Sequence, residues 1–346
     1  MASIDYRHTP LVIFLLIAGP LMAHHSAAIF DLSHDIRIEG EVVQLRWANP
    51  HVYIQVRQEG TSNNTIIWNI EGQTPAGMSR EGWTSSSLLP GEDVIIAANP
   101  ARDSNRRIAL GHTVLKEDGS TLFIPQANSR RDSSPSGAET SHVADSLSGH
   151  WVTKWNRDVA MGFLRARSSW QLTERGINAM ESYENSLNPG NDCVPEPVPY
   201  VMIWPNGKSI KIGDDEVVIR DELGPERRID LKSKDHSGAE SSASGHSTGR
   251  WENGALVVDT VNFAPHRRGL AVGGLASGPQ KHLIERFELS ADKSKLHYRF
   301  QLEDPEYLAE PVSGELELIY RPDLPFINEP CDLESARIYL EDQSSN

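Results

Sequence analysis

The chain has 346 residues, 38% of them hydrophobic, and carries a formal net charge of −15. That length accommodates two cores of ordinary size, and the apolar fraction is that of a soluble chain rather than a membrane-embedded one. An acidic surface repels nucleic acid and anionic lipid alike, so no nucleic-acid partner is expected.

The first element is an apolar run. Arg7 and His8 precede "LVIFLLIA" (Leu11 to Ala18), followed by Gly19-Pro20 and "LMA" ending at Ala23. This is the pattern of a secretory signal peptide over residues 1–23, cleaved after Ala23, and it predicts a periplasmic or secreted protein. The run is shorter than the roughly 20 apolar residues that cross a bilayer, and no later stretch approaches that length, so no stable membrane span is expected after cleavage. Export brings the only two cysteines, Cys193 and Cys331, into an oxidising compartment where they are expected to form a disulfide. Cleavage also creates a new terminus at His24, whose amine and imidazole can together chelate a metal. His25 and the His51 of "NPHV" would be further ligands, and such a donor set suits copper or zinc. The competing reading of His51 is a strand-end hydrogen-bonding residue, and no other cofactor is expected.

Residues 24–124 are rich in short alternating runs: "IRIEGEVVQLRW", "HVYIQVRQ", "TIIWNIEG", "EDVIIAANPA" and "RRIALGHTVLKEDGSTLFI". Gly, Asn, Pro and Asp separate them, which predicts a small OB-like antiparallel barrel with one short helix around "TPAGMSREGW". Residues 125–148 are poor in large apolar side chains and read as a linker. From 149 to 346 strand patterns return, among them "YVMIWP", "EVVIRDE", "GRWE", "ALVVDTVNF", "HLIERFEL", "KLHYRFQLED" and "SGELELIYRP". They predict a larger calycin-like β-barrel or curved antiparallel sheet, so the fold class is all-β throughout. Helices are expected at "NRDVAMGFLRARSSW" and "CDLESARIYLED", and the polar "KSKDHSGAESSASG" (Lys232 to Gly245) reads as a mobile loop.

The motifs "AHHS" (23–26), "EGEVVQLRWANPHVYIQV" (39–56), "GW" (82–83) and "LLPGEDV" make the first segment resemble the DUF6152 family of exported bacterial proteins. That resemblance implies export and an OB-like barrel, with no chemistry attached. The second half, through "GHSTGRWENGALVVDTVNF", "HLIERFEL" and "LEDPEY", resembles a β-rich domain of long exported bacterial proteins whose role is likewise unassigned.

The dipeptide Asn253-Gly254 accepts the positive φ angles of a tight hairpin turn. Pairing about it sets Trp251 opposite Leu256, Arg250 opposite Val257, Thr248 opposite Asp259 and His246 opposite Val261. One face then carries His246, Thr248, Arg250 and Asp259 among Val257, Val261 and Phe263, because side chains alternate with period two. In the next hairpin, matching Leu289 to Leu296 sets Phe287 against Tyr298 and Glu285 against Phe300, with Asp304 continuing that face. A carboxylate on an apolar face must be paired, hydrogen-bonded or protonated.

Two readings compete. In one, arginines such as Arg250 neutralise these carboxylates and fix strand register. In the other, the faces line one cavity where His246 and Asp259 form an acid/base pair, Glu285 is a second acid, and Arg250, Thr248 and Asp304 hold a ligand. The first function expected is binding of a small apolar or carbonyl-bearing ligand, or an accessory role. The alternatives are a cofactor-independent lyase or isomerase and metal binding at His24. No nucleotide loop, zinc-protease helix or nucleophile elbow is present.

Overall fold

The structure, a computed structural model, describes residues 29–60, 64–125, 142–154, 168–271 and 274–340. Residues 1–23, where a signal peptide is expected, together with His24 and His25, and most of the helix expected at "NRDVAMGFLRARSSW", lie outside the described residues.

Five strands form the first barrel: β1 (Ile36–Arg46), β2 (Tyr53–Glu59), β3 (Thr65–Glu71), β4 (Asp93–Pro100) and β5 (Ile108–Lys116). Their order runs β3-β2-β1-β4-β5 and closes through a parallel β3–β5 pairing, with β6 (Thr121–Phe123) added beside β5. Five short strands closing through one parallel pair are OB-like, as the alternating runs predict. Alternate residues such as Ile38, Val42, Ile54, Val56, Ile70, Val94, Ile96 and Val114 fill the interior. The helix Pro75–Arg80 sends Met78 into the same core, and its start is fixed by Thr74, whose side chain accepts the Gly77 N–H at 3.0 Å.

The second barrel has nine strands: β7 (Gly149–Thr153), β8 (Gly207–Ile212), β9 (Glu216–Asp221), β10 (Glu226–Asp230), β11 (His246–Glu252), β12 (Ala255–Val261), β15 (His282–Leu289), β16 (Lys295–Glu303) and β17 (Val312–Tyr320). The hairpin of β13 (His266–Ala271) and β14 (Leu275–Ser277) is inserted between β12 and β15. Neighbours follow chain order around the ring and are antiparallel except β10 and β11, which are parallel. A closed ring with an odd number of strands cannot be antiparallel everywhere. The chain leaving β10 must therefore travel back along the wall before β11 can start, and residues 231–245 make that journey.

This crossover is the polar stretch expected to be a mobile loop, and the structure gives it anchors instead. Ser242 N–H donates to Asn262 O at 3.1 Å and Ala264 N–H to Ser242 O at 2.8 Å. The Asn262 side chain donates to the carbonyls of His236 and Ala239 at 3.2 and 3.3 Å. A second difference concerns "YVMIWP": Tyr200–Ile203 form a one-turn helix with all four residues buried. An apolar run buried on every side carries no period by which a strand can be told from a helix. The helix expected near the C-terminus is present at Leu333–Arg337, followed by a 3-10 turn at Ile338–Leu340.

One end of the second barrel is stopped by the chain that enters it. Ala144 and Leu147 are buried there, and the indole N–H of Trp151 donates to Leu147 O at 2.8 Å. The other end meets the first barrel. Asn49 of the "WANPH" motif donates to the carbonyls of Glu222 and Glu329 at 3.1 and 2.6 Å. Arg80 meets both carboxylate oxygens of buried Glu222 at 2.5 and 2.6 Å. The C-terminal segment completes the junction: Cys331 is bonded to Cys193, while Ile338 and Tyr339 pack with Phe30, Tyr53 and Ile108 of the first barrel.

Candidate functional site

The hairpin at Asn253-Gly254 forms as its residues dictate. Both residues have positive φ, 51° and 85°, and the pairing runs His246 to Val261, Thr248 to Asp259, Arg250 to Val257 and Trp251 to Leu256. The next hairpin pairs Leu289 with Leu296, Phe287 with Tyr298 and Glu285 with Phe300, again in the expected register. The strand that joins them decides the site. Val258 pairs with Glu285 and Asp259 with Ile284, so Glu285 shares a face with Val258 and lies opposite to Asp259. The expected convergence of His246, Asp259 and Glu285 into one cavity is corrected: Glu285 points into the barrel, and His246, Thr248, Arg250 and Asp259 point out of it.

Inside, Glu285 is fully buried and meets Arg227 through both carboxylate oxygens, one at 3.0 Å. Tyr298 Oη donates to Glu285 at 2.9 Å, and Arg227 also reaches Ser247 Oγ at 3.0 Å and Thr260 Oγ1 at 2.7 Å. Ser247 and Thr260 contact each other at 3.0 Å, so every member of the network has a partner. Around it Leu256, Val258, Leu283, Phe287, Leu296 and Leu302 are buried in one core cluster. At the mouth a residual cavity of about 20 Å³, lined by Glu196, Val198, Met202, Ile219 and Arg227 among others, has room for about one water.

Asp304 is buried but belongs to a turn rather than to a ligand pocket. It accepts the Gly278 and Glu306 amides at 2.8 and 3.3 Å, and burial pushes its carboxyl up against the pull of those amides. Nearby, Lys281 donates to the carbonyls of Val198 and Gly269 at 2.6 and 2.9 Å and lies over the Phe263 ring. Burial pushes its amine down to about 7, although Asp304 and Glu285 oppose this.

Outside, Arg250 bonds Glu252 at 2.6 Å and not Asp259, which removes the expected register-fixing pair. Asp259 instead accepts from His282 Nε2 at 3.0 Å and lies 3.7 Å from His236 Nε2. His236 comes from the crossover, and its Nδ1 contacts His246 Nδ1 at 2.9 Å. His246 therefore reaches Asp259 only through His236. Thr248 is 3.4 Å from His236 Nε2 and helps seat that ring.

The protons in this chain follow from its charges. An ionised carboxylate only accepts, so His282 carries its proton on Nε2. A proton on His236 Nε2, 3.4 Å from Thr248 Oγ1 and 3.7 Å from that carboxylate, leaves His236 Nδ1 as an acceptor for the Nδ1–H of His246. Nε2 of His246 then holds a lone pair. No described residue engages that atom, and His246 lines an open groove of about 350 Å³ with Asp215, Glu216, Arg228, Asp230 and Lys232. Two of the residues in this chain, His236 and His282, lie outside the set that sequence reasoning selected. The signal for His236 is topological: a crossover that must run along the wall places its own side chains on that wall.

The metal reading has one described residue. His51 Nδ1 contacts Gly72 O at 3.2 Å and lies 3.9 Å from Glu71, in keeping with a hydrogen-bonding role at a strand end. Among the described residues no group of three or more His, Cys, Asp or Glu side chains is arranged to hold a metal ion.

Residues 13–109 match a model described as a family of unknown function, DUF6152, so the first barrel carries a segment of that family. No curated protein and no solved structure significantly matches the chain.

Proposed function

With a DUF6152 segment of unassigned chemistry as its first barrel, we propose that this exported protein does its chemistry on the outer wall of the second barrel. His246 acts there as a general base on a small carbonyl-bearing compound bound in the groove, in a cofactor-independent proton transfer of the lyase or isomerase type. The observation that carries this reading is the 2.9 Å Nδ1 to Nδ1 contact, which with Asp259 behind it leaves the His246 lone pair on the groove side. His236 and Asp259 position the base and take up the charge that develops on it. His282 holds Asp259 from the other side. Export is supported by the apolar run at residues 11–18 and agrees with the Cys193–Cys331 bridge, which suits an oxidising compartment.

The test is deuterium exchange from solvent into carbons beside the carbonyl in a panel of small aldehydes, ketones and keto acids, followed by proton NMR. At least one compound should exchange faster with the wild type. His246→Gln should lower that rate by about 10²–10⁴, the range of a lost general base. Glu285, inside the barrel, has no part in it. Absence of wild-type exchange across the panel, or an equal rate in His246→Gln, overturns the proposal. Ligand-induced shifts at the groove without exchange would leave a binding site and remove the catalytic claim.

A further inference from the structure

Two imidazoles touching through their Nδ1 atoms can hold one proton between those atoms but not two. The neutral pair of His236 and His246 satisfies this, with one donor and one acceptor 2.9 Å apart. A first added proton is also accommodated, because it settles on His246 Nε2 at the groove and leaves the shared contact intact. A second must go to His236 Nδ1, where it meets the N–H of His246. Two N–H groups and two positive charges then face each other at hydrogen-bond distance, and the contact must open.

That contact is one of the ties holding the crossover. We infer that residues 231–245 form a proton-operated strap, clamped along the outer wall of the second barrel near neutrality and released there when both His236 and His246 are protonated. The inference rests on the proton placement used above for the groove, and it adds regulation: release would withdraw His236 from behind His246. Charged groups from every packed element bear on the pair. Asp230 of β10 acts on His246, Asp235 of the strap acts on His236, and Asp259 of β12 lies 3.7 Å from His236 with His282 of β15 beyond it. Lys232 in the strap is tied to Asp215 at 2.5 Å, and Glu216 of β9 and Arg228 of β10, paired with each other at 2.7 Å, line the groove with His246. The carboxylates ease the arrival of positive charge, but none of them supplies an acceptor between the two Nδ1 atoms.

Hydrogen exchange on the ligand-free protein tests this, so the result does not depend on whether the groove turns over any substrate. Protection factors of the Ala239 and Ser242 amides, which bond to His236 O and Asn262 O, would be compared at about pH 7.5 and about pH 5, the interval in which histidines change charge. In the wild type they should fall tenfold or more, while amides of β16 and β17 keep theirs and report an intact barrel. In His236→Gln, and separately in His246→Gln, protection starts lower and changes less than twofold between the two conditions. Unchanged wild-type protection overturns the inference. So does an equal fall in both variants, or a fall shared by β16 and β17.

Discussion

Glu285 offers the sharpest separation between a reactive carboxylate and a structural one. It lies inside the barrel, wholly buried, with Arg227 across both oxygens and Tyr298 on one of them. In Glu285→Gln the side-chain shape survives, but the amide nitrogen cannot accept from the guanidinium, and Arg227 is left charged and half-served. Breaking a buried pair in this way costs about 3–5 kcal/mol, and Arg227→Met should cost a similar amount by stranding the carboxylate. The double replacement Arg227→Met with Glu285→Met removes both charges. Ser247 and Thr260 still satisfy each other at 3.0 Å, so the one group newly orphaned is Tyr298 Oη, at roughly 1–3 kcal/mol. The double variant should therefore sit well above the sum of the singles, a coupling of several kcal/mol. Urea unfolding with the disulfide intact, followed by exchange at β15 and β16 amides, measures all three. Single costs below about 1 kcal/mol, or a double equal to their sum, would refute the account of this network.

Lys281 should leave a mark on alkaline stability. Its amine is pushed from 10.5 to about 7 in the folded protein, so between those values the unfolded chain binds more protons and stability rises with pH. Lys281→Met should flatten the slope of Tm between about pH 7.5 and 9.5, and an unchanged slope would contradict the buried placement. Replacing both Cys193 and Cys331 by Ser opens a loop of sequence separation 138 and should lower stability by about 4–5 kcal/mol on the chain-entropy argument. A urea midpoint within error of the wild type would rule that out.

Pairing was more legible in the sequence than placement. Asn253-Gly254 sets its own hairpin, and the register of β15 with β16 follows from matched apolar residues, because in both cases the partners are joined by a tight turn. The β12 to β15 register has no such turn: the β13–β14 hairpin intervenes, and a shift of one residue would move Glu285 to the face of Asp259. Apolar residues on both sides of β12 gave no further guidance, since Val257 is buried on the face of Asp259 while Leu256 and Val258 are buried inside. His236 was hidden for a related reason. Ser, Gly and Lys around it describe a solvated segment, and its anchoring comes from strand direction, which no local pattern records.

The way Ile338 and Tyr339 finish the first barrel has a consequence for the order of folding. Arg106 donates to Tyr339 O across 233 residues of chain, and the apolar contacts of Phe30, Tyr53 and Ile108 are completed by the same late turn. Synthesis runs from the N-terminus, so the first barrel emerges early with this pocket unfilled, and domains that emerge first generally begin to fold first. Its last contacts must wait until the whole second barrel has emerged behind it. Final consolidation of the earliest-made domain is thereby tied to delivery of residues 331–340, and a chain that stalls or is clipped before them would present an incomplete first barrel to proteases.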